Sequence, residues 1–414
     1  MTIESREVHP GIRADRNRSL RIVADENIPY VKEFFSDFGE ITTLPGRSMT
    51  AKDIQHADVL LVRSVTRVDS QLLEGSRVGF VGTCTIGVDH LDLDYLARTG
   101  IIHSSAPGCN ANSVVEYVFS VLSHLRPDWL QRSFGIIGCG NVGGALYGKL
   151  KALGLNVNFY DPLLNLTSHE EYRDLDDQVS LEQVLAADVI AMHAPLTRTG
   201  AHPSYHLLGA DQLSLLKQGA LLINAGRGPV IDNSALKRIL LERNDIDVAL
   251  DVWELEPFVD PQLLPDIAMA TPHIAGYSFD GKVEGTAMIY RALCDYLKVP
   301  AQKTAQQLLP QEYKVLDNLS GSAQQILNQA IRYGYDVAID DQSMREQLQR
   351  AARDSDTTSL QTVFSEVFDG LRKNYRVRRE FFTTEVRLAN GAVSGSEPRL
   401  QAMLDELGFS APGK

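Results

Sequence analysis

The chain has 414 residues, of which 44% are hydrophobic and 22% are charged, and its net charge at pH 7 is −13. This length predicts two or three domains. The acidic balance argues against a general affinity for nucleic acid or an anionic membrane, and no apolar run approaches the roughly 20 residues that span a bilayer. Residues 1–19 are polar and are interpreted as a disordered lead-in. The four cysteines are widely spaced without a Cys-x-x-Cys pair, which favours a reducing, cytoplasmic compartment over disulfides or a metal site.

From Leu20 onward, short apolar runs alternate with amphipathic stretches. This rhythm is typical of strands buried in a parallel sheet that has helices on both faces. A helix is predicted from about Asn110 to Leu125, where Pro127 prevents its continuation. The first set of predicted strands is Leu20–Ala24, Val59–Val62, Val78–Gly82 and Ile101–His103.

A second alternating unit begins at Ser133. Its predicted strands are Phe134–Gly138, Leu155–Tyr160, Val189–His193, Ala220–Asn224, Asp247–Leu250 and Ala268–Thr271, and its predicted helices include Val142–Ala152. After the last strand, the predicted helix Gly285–Tyr296 is expected to cross back and complete the first unit. Beyond Pro300, amphipathic segments and one strand-like stretch near Phe381–Leu388 indicate a separate domain. The predicted fold class is therefore α/β, with two doubly wound parallel-sheet domains followed by a C-terminal α+β domain.

A glycine-rich segment with the G-x-G-x-x-G spacing follows the first strand of the second unit: Gly138, Cys139, Gly140, Asn141, Val142 and Gly143. The first glycine permits a tight turn, the second lets the backbone approach a pyrophosphate, and the third lets the helix pack against the strand. Unpaired N–H groups at the helix N-terminus then face the phosphates. The alternative is a glycine loop that only turns the chain.

An acidic residue in the expected register favours the dinucleotide interpretation. Asp161 follows the next predicted strand, close to the roughly 20-residue interval at which an acid binds the ribose hydroxyls. A carboxylate there also repels a 2′-phosphate. The sequence therefore predicts NAD, in preference to NADP, as the cofactor.

Three further segments each place a reactive side chain after a predicted strand. Arg227 follows the strand that ends at Asn224, Glu256 follows the strand that ends at Leu250, and His273 follows the last strand. Ligands of open α/β sheets bind at the carboxyl ends of the strands, so these side chains are expected at the edge that holds the cofactor.

These three residue types suit hydride transfer from a 2-hydroxy acid. His273 can take the hydroxyl proton, Glu256 can orient the imidazole, and the Arg227 guanidinium can bind the substrate carboxylate, while NAD accepts the hydride. Taken singly, a packed loop histidine, a surface arginine and a turn acid would be ordinary. Their joint occurrence beside a dinucleotide loop is what supports a catalytic triad.

At these residues the sequence resembles the D-isomer-specific 2-hydroxyacid dehydrogenases, over about Leu20 to Tyr296. The resemblance implies a split substrate domain (20–110 and 277–299), a Rossmann NAD domain (111–276) and a further domain (300–414). It implies that His273 is the acid/base, Glu256 its partner and Arg227 a substrate contact. The cofactor contacts that it implies are Gly138, Gly140, Asn141, Val142, Gly143, Asp161, Ala194, Ala225, Gly226, Arg227, Asp251 and Gly276, without a metal ion.

Three segments resemble one branch of that family more closely: Val62–Thr66, Gly82–His90 and His273–Ser278. This implies NAD-dependent oxidation of 4-phospho-D-erythronate to 2-oxo-3-hydroxy-4-phosphobutanoate in pyridoxal 5′-phosphate (vitamin B6) biosynthesis. Ser64, Thr85 and Tyr277 are then expected to contact this small phosphorylated hydroxy acid, and the C-terminal domain to form a homodimer.

Two alternatives remain open from the residues alone. The chain could be another D-2-hydroxyacid dehydrogenase, for example one acting on 3-phosphoglycerate, or a non-catalytic NAD-sensing protein of the co-repressor type. The intact set of Arg227, Glu256 and His273 weighs against the latter, because a sensor needs no proton acceptor.

An acidic chain that binds a phosphorylated acid must gather its cations locally. Arg63 and Arg67 flank Ser64, and the densest basic cluster lies in the tail, at Arg372, Lys373, Arg376, Arg378 and Arg379. This cluster could be a solvated basic face. The alternative hypothesis is that one arginine of this cluster binds the substrate phosphate, either in the active site of its own chain or in that of the partner subunit of a dimer.

Overall fold

The computed structural model describes residues 19–164, 175–354, 359–389 and 397–410. The predicted lead-in, residues 1–19, lies outside these ranges apart from its last residue. The chain divides into two compact units. Unit 1 contains the described residues up to Asn110 together with Phe279–Pro310, and unit 2 contains Ala111–Ser278 together with the described residues from Gln311 onward. The predicted division into three domains stays a prediction.

The strands of the described residues are β1 (Leu20–Asp25), β2 (Gly39–Leu44), β3 (Val59–Val62), β4 (Phe80–Thr83), β5 (Ile102–Ser104), β6 (Phe134–Ile137), β7 (Val157–Tyr160), β8 (Val189–Met192), β9 (Leu221–Asn224), β10 (Asp247–Leu250), β11 (Met269–Ala270), β12 (Lys314–Leu319) and β13 (Thr384–Leu388).

The α-helices are α1 (Val31–Phe35), α2 (Ala51–Ile54), α3 (Ser70–Leu73), α4 (Leu93–Thr99), α5 (Ala111–Leu125), α6 (Asn141–Ala152), α7 (Leu181–Leu185), α8 (Ala210–Ser214), α9 (Asn233–Glu242), α10 (Phe279–Leu297), α11 (Ala305–Leu308), α12 (Ala323–Gly334), α13 (Val337–Asp354), α14 (Leu360–Lys373) and α15 (Glu397–Leu407). Within the described ranges, none of these helices is both long and apolar enough to cross a membrane.

Unit 1 is built on a parallel sheet with the strand order β2-β1-β3-β4-β5. Every residue of β3 and β4 is buried, as expected for strands that are covered on both faces. Helix α10 packs its apolar side, including Val283, Ala287 and Ile289, into the core that also holds Ile22 and Phe80.

Unit 2 is built on a parallel sheet with the order β11-β10-β9-β8-β6-β7. The chain runs from β6 to β7 on one side and then crosses to β8 on the other side of β6. In open α/β sheets, ligands bind outside the carboxyl ends of the strands at such a switch point. The segment after β6 begins at Gly138 and the segment after β8 begins at His193, so both lie at this point.

The residues from Gln311 onward share a core with unit 2. Ile326, Leu327 and Ile331 of α12 belong to the same buried cluster as Val118 of α5. Helix α5 is buried at every position from Ser113 to Ser123. The tail also forms its own two-stranded parallel sheet from β12 and β13.

The α/β fold class is confirmed, and most predicted strands agree with the structure within two residues at either end. Two strands were not predicted. Strand β2 lies at a sheet edge and alternates between partly buried and exposed residues, and β12 is mostly exposed, so neither shows an apolar run. Helix α10 begins at Phe279, earlier than the predicted start at Gly285, and ends at Leu297, one residue after the predicted end at Tyr296.

Candidate active site

The glycine turn between β6 and α6 is fixed at two positions by the packing of the protein itself. Gly138 has φ +84°, and a Cβ atom there would lie 2.6 Å from the Ala194 backbone. A Cβ atom on Gly143 would lie 2.0 Å from the carbonyl oxygen of Gly138. A Cβ atom on Gly140 would meet no described atom within 4 Å. Open space at Gly140 fits the role of the second glycine, which lets a pyrophosphate approach the backbone.

Asp161 lies beside this turn, at the end of β7. Its carboxylate accepts hydrogen bonds from the backbone N–H groups of Cys139 (2.9 Å) and Leu163 (3.1 Å). A cavity of about 250 Å³ is lined by residues that include Gly138, Asp161 and Ala194. The glycine turn, the helix that begins at Asn141 and Val142, and this carboxylate together fit a dinucleotide.

The candidate catalytic pair lies after β10 and β11. His273 has φ +56°, and its Nδ1 lies 2.8 Å from Oε2 of Glu256. The other oxygen of Glu256 accepts the backbone N–H of Trp253 at 2.7 Å. The Nε2 atom of His273 makes no hydrogen bond to any described residue, and the side chain is about 31% exposed. A proton on Nδ1 is thus held by Glu256, while Nε2 is available to a substrate hydroxyl.

The environment of Glu256 keeps it ionised. Burial by itself would raise the pKa of this carboxyl, but the charge and hydrogen bond of His273, the Trp253 N–H and the charge of Arg372 together lower the pKa below the usual glutamate value. A carboxylate stabilises the imidazolium that forms when His273 takes a proton.

Asp251 organises the loop that carries His273. Its buried carboxylate accepts the Thr271 hydroxyl (2.7 Å) and the backbone N–H groups of Ile274 (2.8 Å) and Ala275 (2.9 Å). Burial raises the pKa of Asp251, against these hydrogen bonds. Its predicted contact with the cofactor stays a prediction.

Arg227 follows β9 and is half-buried, and its guanidinium donates to the carbonyl of Gly226 at 2.9 Å. The next residue, Gly228, lies so close to Trp253 that a Cβ atom would be 1.9 Å from the Trp253 carbonyl oxygen. The loops that carry Arg227 and Glu256 are therefore in backbone contact. Ala225 and Gly226 continue the loop after β9, and a Cβ atom on Gly226 would lie 3.1 Å from the Ala194 carbonyl oxygen.

The tail packs against the residues that follow His273. The Tyr277 and Tyr375 rings are 5.8 Å apart, edge to face. Arg378 is buried and donates to the carbonyl oxygens of Ala275 (3.0 Å) and Ser113 (2.7 Å). The segment that follows His273 thus packs against side chains that lie about a hundred residues further along the chain.

Ser64 and Thr85 belong to unit 1, where they follow β3 and β4. The Thr85 hydroxyl lies 2.8 Å from the hydroxyl of Thr83. Near them, burial and the charge of Arg63 lower the pKa of Lys282 to about 8. Arg63 and Lys282 are therefore close enough for their positive charges to repel each other.

Two contributors were missed by the sequence reasoning. The backbone N–H of Trp253 lies within the segment that was identified, but a main-chain donor has no signature in the sequence. Arg372 belongs to the basic cluster that was identified, yet its position beside Tyr277, with a ring-to-guanidinium distance of 5.6 Å, depends on tertiary packing. The glycine turn, the carboxylate of Asp161 and the histidine–glutamate pair are together typical of a dinucleotide-dependent dehydrogenase.

Comparison with known proteins agrees with this class. Residues 122–275 match the family model described as the D-isomer specific 2-hydroxyacid dehydrogenase, NAD binding domain. Residues 308–408 match a domain of unknown function (DUF3410). The fold is similar to that of cofactor (NAD+) bound 3-phosphoglycerate dehydrogenase in Entamoeba histolytica (TM-score 0.56, 23% identity, 69% of this chain and 99% of that one). It is also similar to D-lactate dehydrogenase from Aquifex aeolicus (TM-score 0.53, 24% identity, 67% and 95%).

Full-length relatives are much more similar in sequence. Erythronate-4-phosphate dehydrogenase of Cellvibrio japonicus is 54% identical, over 89% of this chain and 95% of that enzyme. The enzymes of the same name in Pseudomonas putida and Azotobacter vinelandii are 48% and 47% identical, each over 94% of this chain and 99% of the relative. The chain therefore belongs to the D-isomer-specific 2-hydroxyacid dehydrogenase family and carries its NAD-binding domain. Within that family it belongs to the branch of the erythronate-4-phosphate dehydrogenases.

Proposed function

We propose that this protein oxidises 4-phospho-D-erythronate to 2-oxo-3-hydroxy-4-phosphobutanoate with NAD, in pyridoxal 5′-phosphate (vitamin B6) biosynthesis. The relatives of that name, at 47–54% identity over most of the chain, support the substrate. The observation that carries the chemistry is the hydrogen bond of 2.8 Å between His273 and Glu256, which leaves Nε2 of the imidazole without a described partner.

In this proposal, His273 is the general base. Its Nε2 accepts the proton of the hydroxyl at carbon 2, and Glu256 holds the proton on Nδ1 and stabilises the imidazolium. When bound at the glycine turn, NAD would supply the acceptor for the hydride from carbon 2. In the reverse direction the imidazolium returns its proton to the carbonyl oxygen.

Arg227 is the proposed partner of the substrate carboxylate, because a guanidinium binds a carboxylate through two parallel hydrogen bonds. The hydroxyls of Ser64, Thr85 and Tyr277 are proposed substrate contacts, and hydroxyl groups suit a polyhydroxy acid.

The proposed cofactor contacts are the glycine turn (Gly138, Gly140, Asn141, Val142, Gly143), the ribose acid Asp161, and Ala194, Ala225, Gly226, Arg227, Asp251 and Gly276. The main-chain N–H groups at the N-terminus of α6 are expected to bind the pyrophosphate, and the carboxylate of Asp161 is expected to bind the ribose.

The alternative activities are not favoured. A 3-phosphoglycerate dehydrogenase is similar to this chain in fold, at 23% identity. A non-catalytic sensor would not require the His273–Glu256 pair.

The test is a spectrophotometric assay of NADH formation with 4-phosphoerythronate and 3-phosphoglycerate as separate substrates. We expect turnover with the first and little with the second.

His273→Ala should still bind NAD, and it should lose about 10²–10⁴-fold in kcat, the usual contribution of a general base. If His273→Ala kept more than half of the wild-type rate, His273 would not be the general base.

The proposal extends to location and assembly. The four cysteines all lie in described residues and form no disulfide, which supports a location in the reducing cytoplasm. A homodimer through the tail is supported by exposed apolar side chains there: Val315 and Tyr333 are each more than a third exposed, and the Tyr333 hydroxyl donates to the Val315 carbonyl. Exposed apolar patches mark interaction surfaces. Sedimentation of the wild type and of Val315→Lys tests this, with a shift of the variant toward the monomer as the expected result.

A further inference from the structure

Arg372 lies in the last turn of α14, and no described residue accepts a hydrogen bond from its guanidinium. Its Nε–H is buried and has no hydrogen-bond partner, and its guanidinium pairs with no carboxylate among the described residues. A buried donor that lacks an acceptor costs about 1–3 kcal/mol, so native proteins retain few such groups. An arginine placed in this way calls for an acceptor that comes from outside the chain.

The guanidinium of Arg372 lies beside the candidate catalytic residues. Its central carbon is 5.6 Å from the centre of the Tyr277 ring and 5.8 Å from that of Phe368. Tyr277 comes directly after the loop of His273. The positive charge of Arg372 also interacts electrostatically with Glu256 and contributes to the lowered pKa of that carboxyl.

Two neighbouring arginines of the same basic cluster are committed elsewhere. Arg376 pairs with Asp340 at 3.2 Å. Arg378 is buried and donates to two main-chain carbonyls. Each therefore has a role within the fold that Arg372 lacks.

We propose that Arg372 binds the phosphate group of the substrate. This inference rests on the proposed function, in which Arg227 is assigned to the substrate carboxylate and a second cation is needed for the second anionic group. A guanidinium presents parallel N–H donors to two oxygens of a phosphate. The tail would then contribute directly to substrate specificity, from the same chain that carries His273.

The kinetic test compares Arg372→Ala with Lys373→Ala, which removes the same charge at the adjacent, exposed position. We expect KM for 4-phosphoerythronate to rise about 10- to 100-fold in Arg372→Ala, the range of one charge-assisted hydrogen-bonded contact. Its kcat/KM for unphosphorylated D-erythronate should fall far less, because on that substrate only the effect of the Arg372 charge on Glu256 is lost. Arg372→Lys should recover part of the loss, and Lys373→Ala should behave as the wild type. Equal losses on both substrates, or no loss on either, would overturn the proposal.

A binding measurement separates this inference from the proposed function. Inorganic phosphate, added to the NAD-loaded enzyme, should raise the melting temperature of the wild type and of Lys373→Ala but not that of Arg372→Ala. Absence of turnover with 4-phosphoerythronate would refute the proposed function, while the phosphate result would still decide the role of Arg372. An equal phosphate-induced shift in all three proteins would refute the assignment of Arg372.

Discussion

Replacing Arg378 with methionine should destabilise unit 2 strongly. The side chain is about 1% exposed and lies 3.6 Å from Glu116, and it donates to the carbonyls of Ala275 and Ser113. Methionine would fill part of the volume but would remove the Arg378 donors from both carbonyls, leaving Ala275 with only the Ser113 hydroxyl, and would remove the positive charge beside Glu116. A hydrogen bond from a charged donor contributes about 1.5–3 kcal/mol, so the loss of both donors should cost about 3–5 kcal/mol. At about 2–4 °C per kcal/mol for a unit of this size, the melting temperature should fall by roughly 6–20 °C.

Tryptophan fluorescence provides the assay. The two tryptophans of the chain, Trp129 and Trp253, are both buried in unit 2, so urea titrations followed by their emission report on that unit. Lys373→Met removes a charge from an exposed position nearby and should change the free energy of unfolding by no more than about 0.5 kcal/mol. If Arg378→Met were as stable as this control, the buried arginine would not support the loop of His273.

Two further predictions concern carboxylates. Asp161→Ser should weaken NAD binding and relax discrimination against NADP, because the 2′-phosphate would no longer meet a carboxylate; an unchanged ratio of kcat/KM for the two cofactors would contradict the role of Asp161. Burial, and then the charge of Glu380, raise the pKa of Glu116 well above the usual range, so its contribution to stability is complete below the unfolded value of about 4.3 and is lost as pH rises through the folded pKa. The free energy of unfolding of the wild type should therefore decline, as pH rises above about 4.3, more steeply than that of Glu116→Gln. Parallel pH curves from urea titrations would show that Glu116 does not cause the decline.

The cofactor turn could be predicted from the sequence because each of its requirements is local. Gly138 needs a positive φ, Gly143 needs a close helix–strand contact, and both needs fall within six consecutive residues. The catalytic pair could be predicted for a related reason: parallel strands deliver the residues that follow them to one edge of the sheet, so chain order alone placed Glu256 and His273 together.

The contribution of the tail could not be predicted in this way. Asn112 donates to Glu380 at 2.7 Å across a separation of 268 residues, and Ser278 donates to the same carboxyl at 2.6 Å. No periodicity or motif encodes such a pair, because the partners meet only after two elements have packed. The basic cluster was visible, but the sequence could not show that Arg378 is buried and donates to two carbonyls, whereas no described residue accepts a hydrogen bond from Arg372.

Replacing Gly138 or Gly140, the first two glycines of the turn, with alanine should have different effects: the first should lower stability and the second should weaken NAD binding. Gly138→Ala places a Cβ atom 2.6 Å from the backbone of Ala194 and requires alanine to adopt φ +84°, so both the strain and the clash lower stability even without a ligand. Left-handed backbone alone costs about 1 kcal/mol for a non-glycine residue, and a clash with main-chain atoms adds to this because neither strand end can move freely. Gly140→Ala meets no described atom within 4 Å, so its melting temperature should match that of the wild type while its affinity for NAD falls. Thermal denaturation without NAD, followed by NAD titration monitored through protein fluorescence, distinguishes the two effects. A Gly140→Ala protein that binds NAD as tightly as the wild type would mean that no pyrophosphate approaches this backbone, and the cofactor would have to bind elsewhere.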